Sequence, residues 1–119
     1  MDNTSLKIKL KSLNLKHNPI FSKKDHLKYV QDWRNQYTGD AAAILKPINT
    51  AEVSRILKLA NDNNIGVVPQ GGNTSLCGAA TPDNSGTSIV ISFEKMNKVR
   101  QFNKESQTIT VECGVILSQ

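Results

Sequence analysis

Pro69-Gln70-Gly71-Gly72-Asn73-Thr74-Ser75-Leu76-Cys77-Gly78 decides how the rest of this chain is read. It follows a short β-branched run, residues 65–68, so it reads as a loop leaving the end of a strand. Paired glycines remove the Cβ atoms that would hold another group away from the main chain. They also permit backbone angles in which successive N–H groups turn inward and form a concavity for an anion. Asn73, Thr74 and Ser75 add short polar side chains that donate without crowding. The loop therefore reads as a cradle for the pyrophosphate of a dinucleotide, set against the plainer reading of a tight turn built from ordinary turn residues.

Working outward, the segment before the loop has the pattern of a strand, a helix and a second strand. Residues 42–45 form a short apolar run stopped by Pro47. Thr50 reads as an N-cap, with Glu52 in the first turn where the helix dipole favours a negative charge. Val53, Ile56, Leu57 and Ala60 fall at i, i+3, i+4 and i+7, the clearest helical stripe in the chain. It ends in Asn61-Asp62-Asn63-Asn64, where side chains compete for backbone hydrogen bonds. After the loop, residues 81–86 read as a surface turn and residues 88–92 as a third strand. Residues 98–102 and 108–112 flank a polar turn and read as a hairpin with one wet face. Gly114 breaks that strand, and the sequence from Val115 onward reads as the start of another element, as in a domain cut short.

The N-terminal part is different in character. Residues 1–34 carry eight basic and three acidic groups, so the whole net charge of +5 lies there, while residues 35–119 are balanced. The lysines alternate with Leu and Ile rather than forming a block. The segment is therefore read as a solvated face, and nucleic acid is not the expected partner. Leu6, Leu10 and Leu13 fit a short amphipathic helix, although alternation across residues 6–10 leaves a strand open. Asn18-Pro19 is a breaker, and Ser22-Lys23-Lys24-Asp25 is a weak capping box before a second helix carrying Leu27 and Val30. His17 and His26 stand nine residues apart with no companion ligands, and both read as surface histidines. No metal site is expected. No apolar run approaches the ~20 residues of a membrane span, and lysines interrupt every candidate leader. Two cysteines, Cys77 and Cys113, are too few for a disulfide framework, and the expected compartment is the reducing cytoplasm.

From about Asp32 to Leu117 the chain resembles the start of the flavin-binding domain of FAD-linked oxidases of the vanillyl-alcohol-oxidase, or PCMH, type. Within that group it most resembles D-2-hydroxyacid dehydrogenases, those acting on D-lactate, glycolate and especially D-2-hydroxyglutarate. The resembling pieces are Asp32-Trp33-Arg34, then Lys46-Pro47 with residues 50–57, the run 68–76, the run 92–99, and Glu112-Cys113-Gly114-Val115 with Leu117. The resemblance implies an α+β fold: short parallel βαβ strands and a β-hairpin in residues 41–119, preceded by a basic, mainly helical extension in residues 1–40.

The resemblance also implies that the loop wraps the pyrophosphate of FAD. Gly71, Gly72, Asn73, Thr74 and Ser75 would be donors, Pro69 would fix the approach, and Leu76 with Gly78 would line the cofactor. Some family members bind FAD covalently through a histidine in this loop. Asn73 stands at that position here, which implies non-covalent flavin. Cys77 is expected to be a small apolar filler rather than a reactive thiol. Gly78-Ala79 replaces a glycine pair common in the family.

Family members run to several hundred residues. The second flavin subdomain, the substrate domain and its metal-binding histidines would all lie beyond Gln119. No catalytic residue is therefore expected within residues 1–119. FAD binding is expected to be weak or absent, a second chain carrying the remaining domains is the expected partner, and an apolar surface should be left exposed where they would dock.

Overall fold

A computed structural model of the chain describes residues 3–32, 36–73 and 78–116. Its centre is a three-stranded parallel sheet made of β1 (Ala43–Leu45), β2 (Val67–Gln70) and β3 (Ile89–Ser92). The strand order is β1-β3-β2, with Ile44 and Val68 both opposite Val90. β3, last in sequence, thus occupies the middle position. All four of its residues are buried, as expected of a parallel strand covered on both faces.

The pleat sends alternate residues to two separate cores. Ala43, Leu45, Ile89 and Ile91 face α1 (Asn3–Lys11) and α3 (Thr50–Asp62), meeting Leu6, Leu10, Ile56 and Ala60. Ile44 and Val90 face the other way and pack against Tyr29, Val30 and Ala41. On that second face the cover is a 3-10 turn (Lys23–Asp25) followed by α2 (Leu27–Val30), a single helical turn. The N-terminal segment therefore supplies a layer on each side of the sheet. Among the described residues no helix is long and apolar enough to cross a membrane.

Several local details depart from expectation. At residues 6–10 the helix forms, and Ile8 is 65% exposed while Leu6 and Leu10 are buried, which a strand would not allow. The N-cap of α3 is Asn49, not Thr50: its Oδ1 accepts from the Glu52 N–H at 2.9 Å. Glu52 is buried rather than merely near the helix dipole, accepting from the N–H groups of Ile48 and Lys16 at 2.9 Å each. It thereby ties the N-terminal segment to α3.

The second strand begins at Val67, not residue 65. Asn64 takes a left-handed conformation (φ 55°), and the Ile65 N–H turns back to Ala60. Ser22 makes no side-chain cap, so the expected second helix shrinks to one turn with Leu27 exposed and Val30 buried. His26 is not on the surface: it is 2% exposed, with Nε2 2.8 Å from the Ile20 carbonyl oxygen. His17 is half-buried.

The hairpin of β4 (Val99–Asn103) and β5 (Thr108–Val111) is also a correction, because both of its faces are wet. Val99 pairs with Val111 and Phe102 with Ile109, with a bulge between Val99 and Gln101. Residues three apart on a regular strand face opposite ways. The extra bulge residue restores the phase, so all four apolar side chains share one face. That face is exposed, with Phe102 at 68% and Ile109 at 56%.

Candidate functional site

β2 and β3 both end at one edge of the sheet, at Gln70 and Ser92, and the Gly-Gly loop leaves from there. The carboxyl ends of parallel strands are where open α/β sheets take their ligands. Pro69 sits exposed on an edge strand, where its missing N–H costs no ladder bond. Gly71 and Gly72 are exposed at the mouth of a cleft of about 160 Å³, lined also by Lys28, Tyr29, Ser92 and Glu94. Among the described residues the N–H groups of Gly71 and Gly72 make no main-chain hydrogen bond. The cleft adjoins a larger open one whose walls include Lys24, Lys28 and Lys46.

The left-handed corner of the loop is not at the glycine pair. Asn73 holds it, with φ 57°. A Cβ on Gly71 would stand 3.2 Å from the Cys113 carbonyl oxygen, so at this position glycine serves close approach. Gly78 does take a positive φ (78°), and a Cβ there would press 3.1 Å from the Tyr37 ring. Gly78 therefore packs under Tyr37 as the loop returns. Thr74, Ser75, Leu76 and Cys77 lie outside the described residues, as do Trp33, Arg34 and Leu117.

Side-chain amides hold the loop to the neighbouring turn. Gln70 is buried, and its Nε2 donates to the carbonyl oxygens of Tyr29 (2.8 Å) and Ala80 (3.0 Å), joining the two ends of the loop. Asn73 Nδ2 donates to the carbonyl oxygens of Lys28 (3.0 Å) and Gln31 (2.8 Å). The Tyr29 hydroxyl donates to Glu94 at 2.5 Å. Burial, then the Glu94 carboxylate, push the Tyr29 hydroxyl above its ordinary value, so it remains a protonated donor at neutral pH.

Gln70, Ser92 and Glu94 lie inside the sequence pieces that carried the family resemblance, yet none was singled out. Lys28 and Tyr29 come from the N-terminal segment, where only an aromatic beside a lysine marked them. Among the described residues no group of three His, Cys, Asp or Glu is placed to hold a metal ion.

The family described as "FAD binding domain" matches residues 41–119. This chain belongs to that family. A D-2-hydroxyglutarate–pyruvate transhydrogenase of Saccharomyces cerevisiae is 46% identical to this FAD-binding domain over 87 residues, covering 73% of the chain and 17% of the yeast protein. A D-2-hydroxyglutarate dehydrogenase of Xanthomonas citri pv. viticola is 35% identical over 113 residues, covering 95% of the chain and 23% of that protein. The solved structure of an alkyldihydroxyacetonephosphate synthase shares the fold, with a TM-score of 0.78 and 22% identity over 98% of the chain and 23% of that structure. The chain thus spans less than a quarter of the length of these relatives. FAD is the cofactor that the family's description names.

The site suits such a group. Two adjacent residues without Cβ atoms stand at the carboxyl ends of parallel strands, beside a lysine and an open cleft. The Glu94 carboxylate, at the same cleft, accepts from Tyr29.

Proposed function

We propose that this FAD-binding domain holds the pyrophosphate of FAD at residues 71–75, as part of a flavoenzyme acting on D-2-hydroxy acids. The observation that carries the reading is the pair of exposed glycines at the strand ends, their N–H groups without a main-chain partner among the described residues. Main-chain N–H groups of Gly71, Gly72 and Asn73 would meet the phosphates. Thr74 and Ser75 would add hydroxyl donors, and Leu76 and Gly78 would flank the cofactor. Lys28 supplies a positive charge at the same cleft. Asn73 offers no nucleophilic ring nitrogen, so the flavin is held non-covalently. Bound FAD would accept a hydride from the α-carbon of a 2-hydroxy acid. No residue from 1 to 119 is assigned to that step, which needs the flavin ring and the substrate carbon fixed together.

Alone, these residues supply few apolar walls for either ring system of FAD, so binding is weak. The remaining flavin and substrate domains would come from further polypeptide, in the same chain or a second one. The apolar face of the β4–β5 hairpin is the surface on which that polypeptide would close. Nucleic acid is not a partner in this reading. Lys9, Lys23 and Lys58 bond to Asn63, Asp40 and Asp62, and Lys7 and Lys11 stand over the Phe21 ring, so these five lysines are engaged in separate contacts. A reducing compartment such as the cytoplasm suits the unpaired, exposed Cys113, and cell fractionation tests that placement.

The direct test is an NMR titration of the ¹⁵N-labelled chain with FAD and, separately, with inorganic pyrophosphate. Both ligands should shift the amides of Gly71, Gly72 and Asn73 first, saturating in the high micromolar to millimolar range. Shifts confined to the lysines of residues 1–28, or none at millimolar ligand, would refute the assignment.

A further inference from the structure

α2 is one turn long, and a helix that short does not stand by itself in water. Its C-terminal carbonyl groups have no partners within the helix. In this chain those groups are met from a distance. The carbonyl oxygen of Val30 accepts from the Gly39 N–H at 2.8 Å. That of Tyr29 accepts from Gln70, and those of Lys28 and Gln31 both accept from Asn73. Four consecutive carbonyls, 28 to 31, are therefore satisfied, three of them by two side chains of the Gly-Gly loop.

The dependence runs both ways. Asn73 has two amide hydrogens, one directed at α2 and one at Gln31, the residue that follows it. It also occupies the left-handed corner of the loop, a conformation asparagine tolerates better than other side-chain-bearing residues. Its side chain and its backbone thus fix the same bend. Residues 27–31 lie outside the 41–119 stretch that matches the family, yet they are the seat on which the loop rests.

We propose that Asn73, assisted by Gln70, is a positioning residue: its amide clamps the loop to α2 and presets the Gly71-Gly72 amides for a phosphate ligand. The claim rests on the flavin reading above and extends the cofactor site into the N-terminal segment. The clamp lowers the entropy lost on binding, because the loop is ordered before the ligand arrives.

Two variants of the full chain test it. Asn73→Asp keeps size and tolerance of the left-handed bend but sets a carboxylate against two carbonyl oxygens. Asn73→Gly keeps the bend and removes the side chain. Amide hydrogen exchange is read alongside pyrophosphate and FAD titration. Exchange at Tyr29 and Val30, whose N–H groups bond to the His26 carbonyl oxygen, should rise at least about tenfold in both variants while β1, β2 and β3 keep their protection. Pyrophosphate affinity should fall by about tenfold. In Asn73→Asp alone, protection of α2 should partly return in acid, where the protonated carboxyl regains one donor.

A wild-type chain whose loop responds to neither ligand refutes the flavin reading and the clamp with it. A wild type that binds, with variants that bind as tightly or exchange no faster at α2, overturns the clamp alone. Loss of protection throughout the parallel sheet in both variants also overturns it, because Asn73 would then be a strut of the whole fold.

Discussion

Replacing Phe102 and Ile109 together by threonine should leave the chain folded and weaken its self-association. The two side chains form a directly opposed cross-strand pair on the open face of the hairpin. Such a pair is worth about 0.2–1 kcal/mol to the sheet, and threonine keeps the β preference of both positions. Folding stability should therefore fall by no more than about 1 kcal/mol. Association is a larger matter. Phe102 exposes 68% of its surface. A phenylalanine side chain buries about 200 Å², so roughly 140 Å² is open, worth about 3 kcal/mol at ~25 cal/mol per Å². Ile109 is 56% exposed and adds about 2 kcal/mol at the same coefficient. Covering both by a second copy of the chain is worth at most about 5 kcal/mol, several thousandfold in the association constant, and ordering costs reduce what is realised. Sedimentation velocity over a concentration series reads the effect, with thermal unfolding as the control. Concentration-dependent association is expected for the wild type, weakened at least about a hundredfold in the double variant. A strictly monomeric wild type would refute the reasoning. So would a stability loss well above 1 kcal/mol, since the face would then be packed within the fold.

Two further outcomes follow from individual carboxylates. Glu52→Gln should destabilise the chain by about 1–3 kcal/mol, because an amide presents only one acceptor oxygen to the N–H groups of Ile48 and Lys16 and leaves one part-buried donor unmet; a denaturation midpoint within error of the wild type would show that those bonds are idle. The Lys98 N–H, then Arg100, hold the Glu112 carboxyl below its ordinary range. A depressed folded value means that its contribution is present above the ordinary glutamate range and lost as pH falls through the folded value. Hydrogen exchange at the Lys98 amide, corrected for its intrinsic rate, should accelerate in acid before the β3 amides respond, and Glu112→Gln should remove that pH dependence.

What the sequence made legible follows how local each signal is. The apolar runs at residues 42–45 and 88–92 are buried strands, and the stripe through Ile56 and Ala60 is the buried face of α3. Both are periodicities that any neighbouring layer would satisfy. The stripe also included Leu57, which is half exposed, and passed over Glu52, which is buried. Hydropathy could not see that two backbone N–H groups, one of them 36 residues away, would pair with that carboxylate. The single turn at Leu27–Val30 was overestimated for a related reason. Its partners are Gln70 and Asn73, and nothing within residues 22–30 reveals them. The burial of His26 depends in the same way on a contact with Ile20 across a turn. Strand order belongs to the same class: β3 lies between β1 and β2, and no local pattern in any one strand specifies that.

The loop shows why glycine can be read correctly for the wrong conformation. A glycine pair suggests positive φ, but the left-handed residue is Asn73, and Gly71 is small because the Cys113 carbonyl lies close. The polar side chains of the described part of the loop, Gln70 and Asn73, point back into the protein and spend their donors on carbonyl oxygens. What remains toward the cleft is main chain. A phosphate needs several donors on a small curved surface, and backbone N–H groups provide them without rotamers to freeze. Side chains that fix the bend and glycines that leave it bare are then two halves of one arrangement. A substitution at Asn73 should therefore be felt at Gly71 and Gly72, although neither glycine is altered.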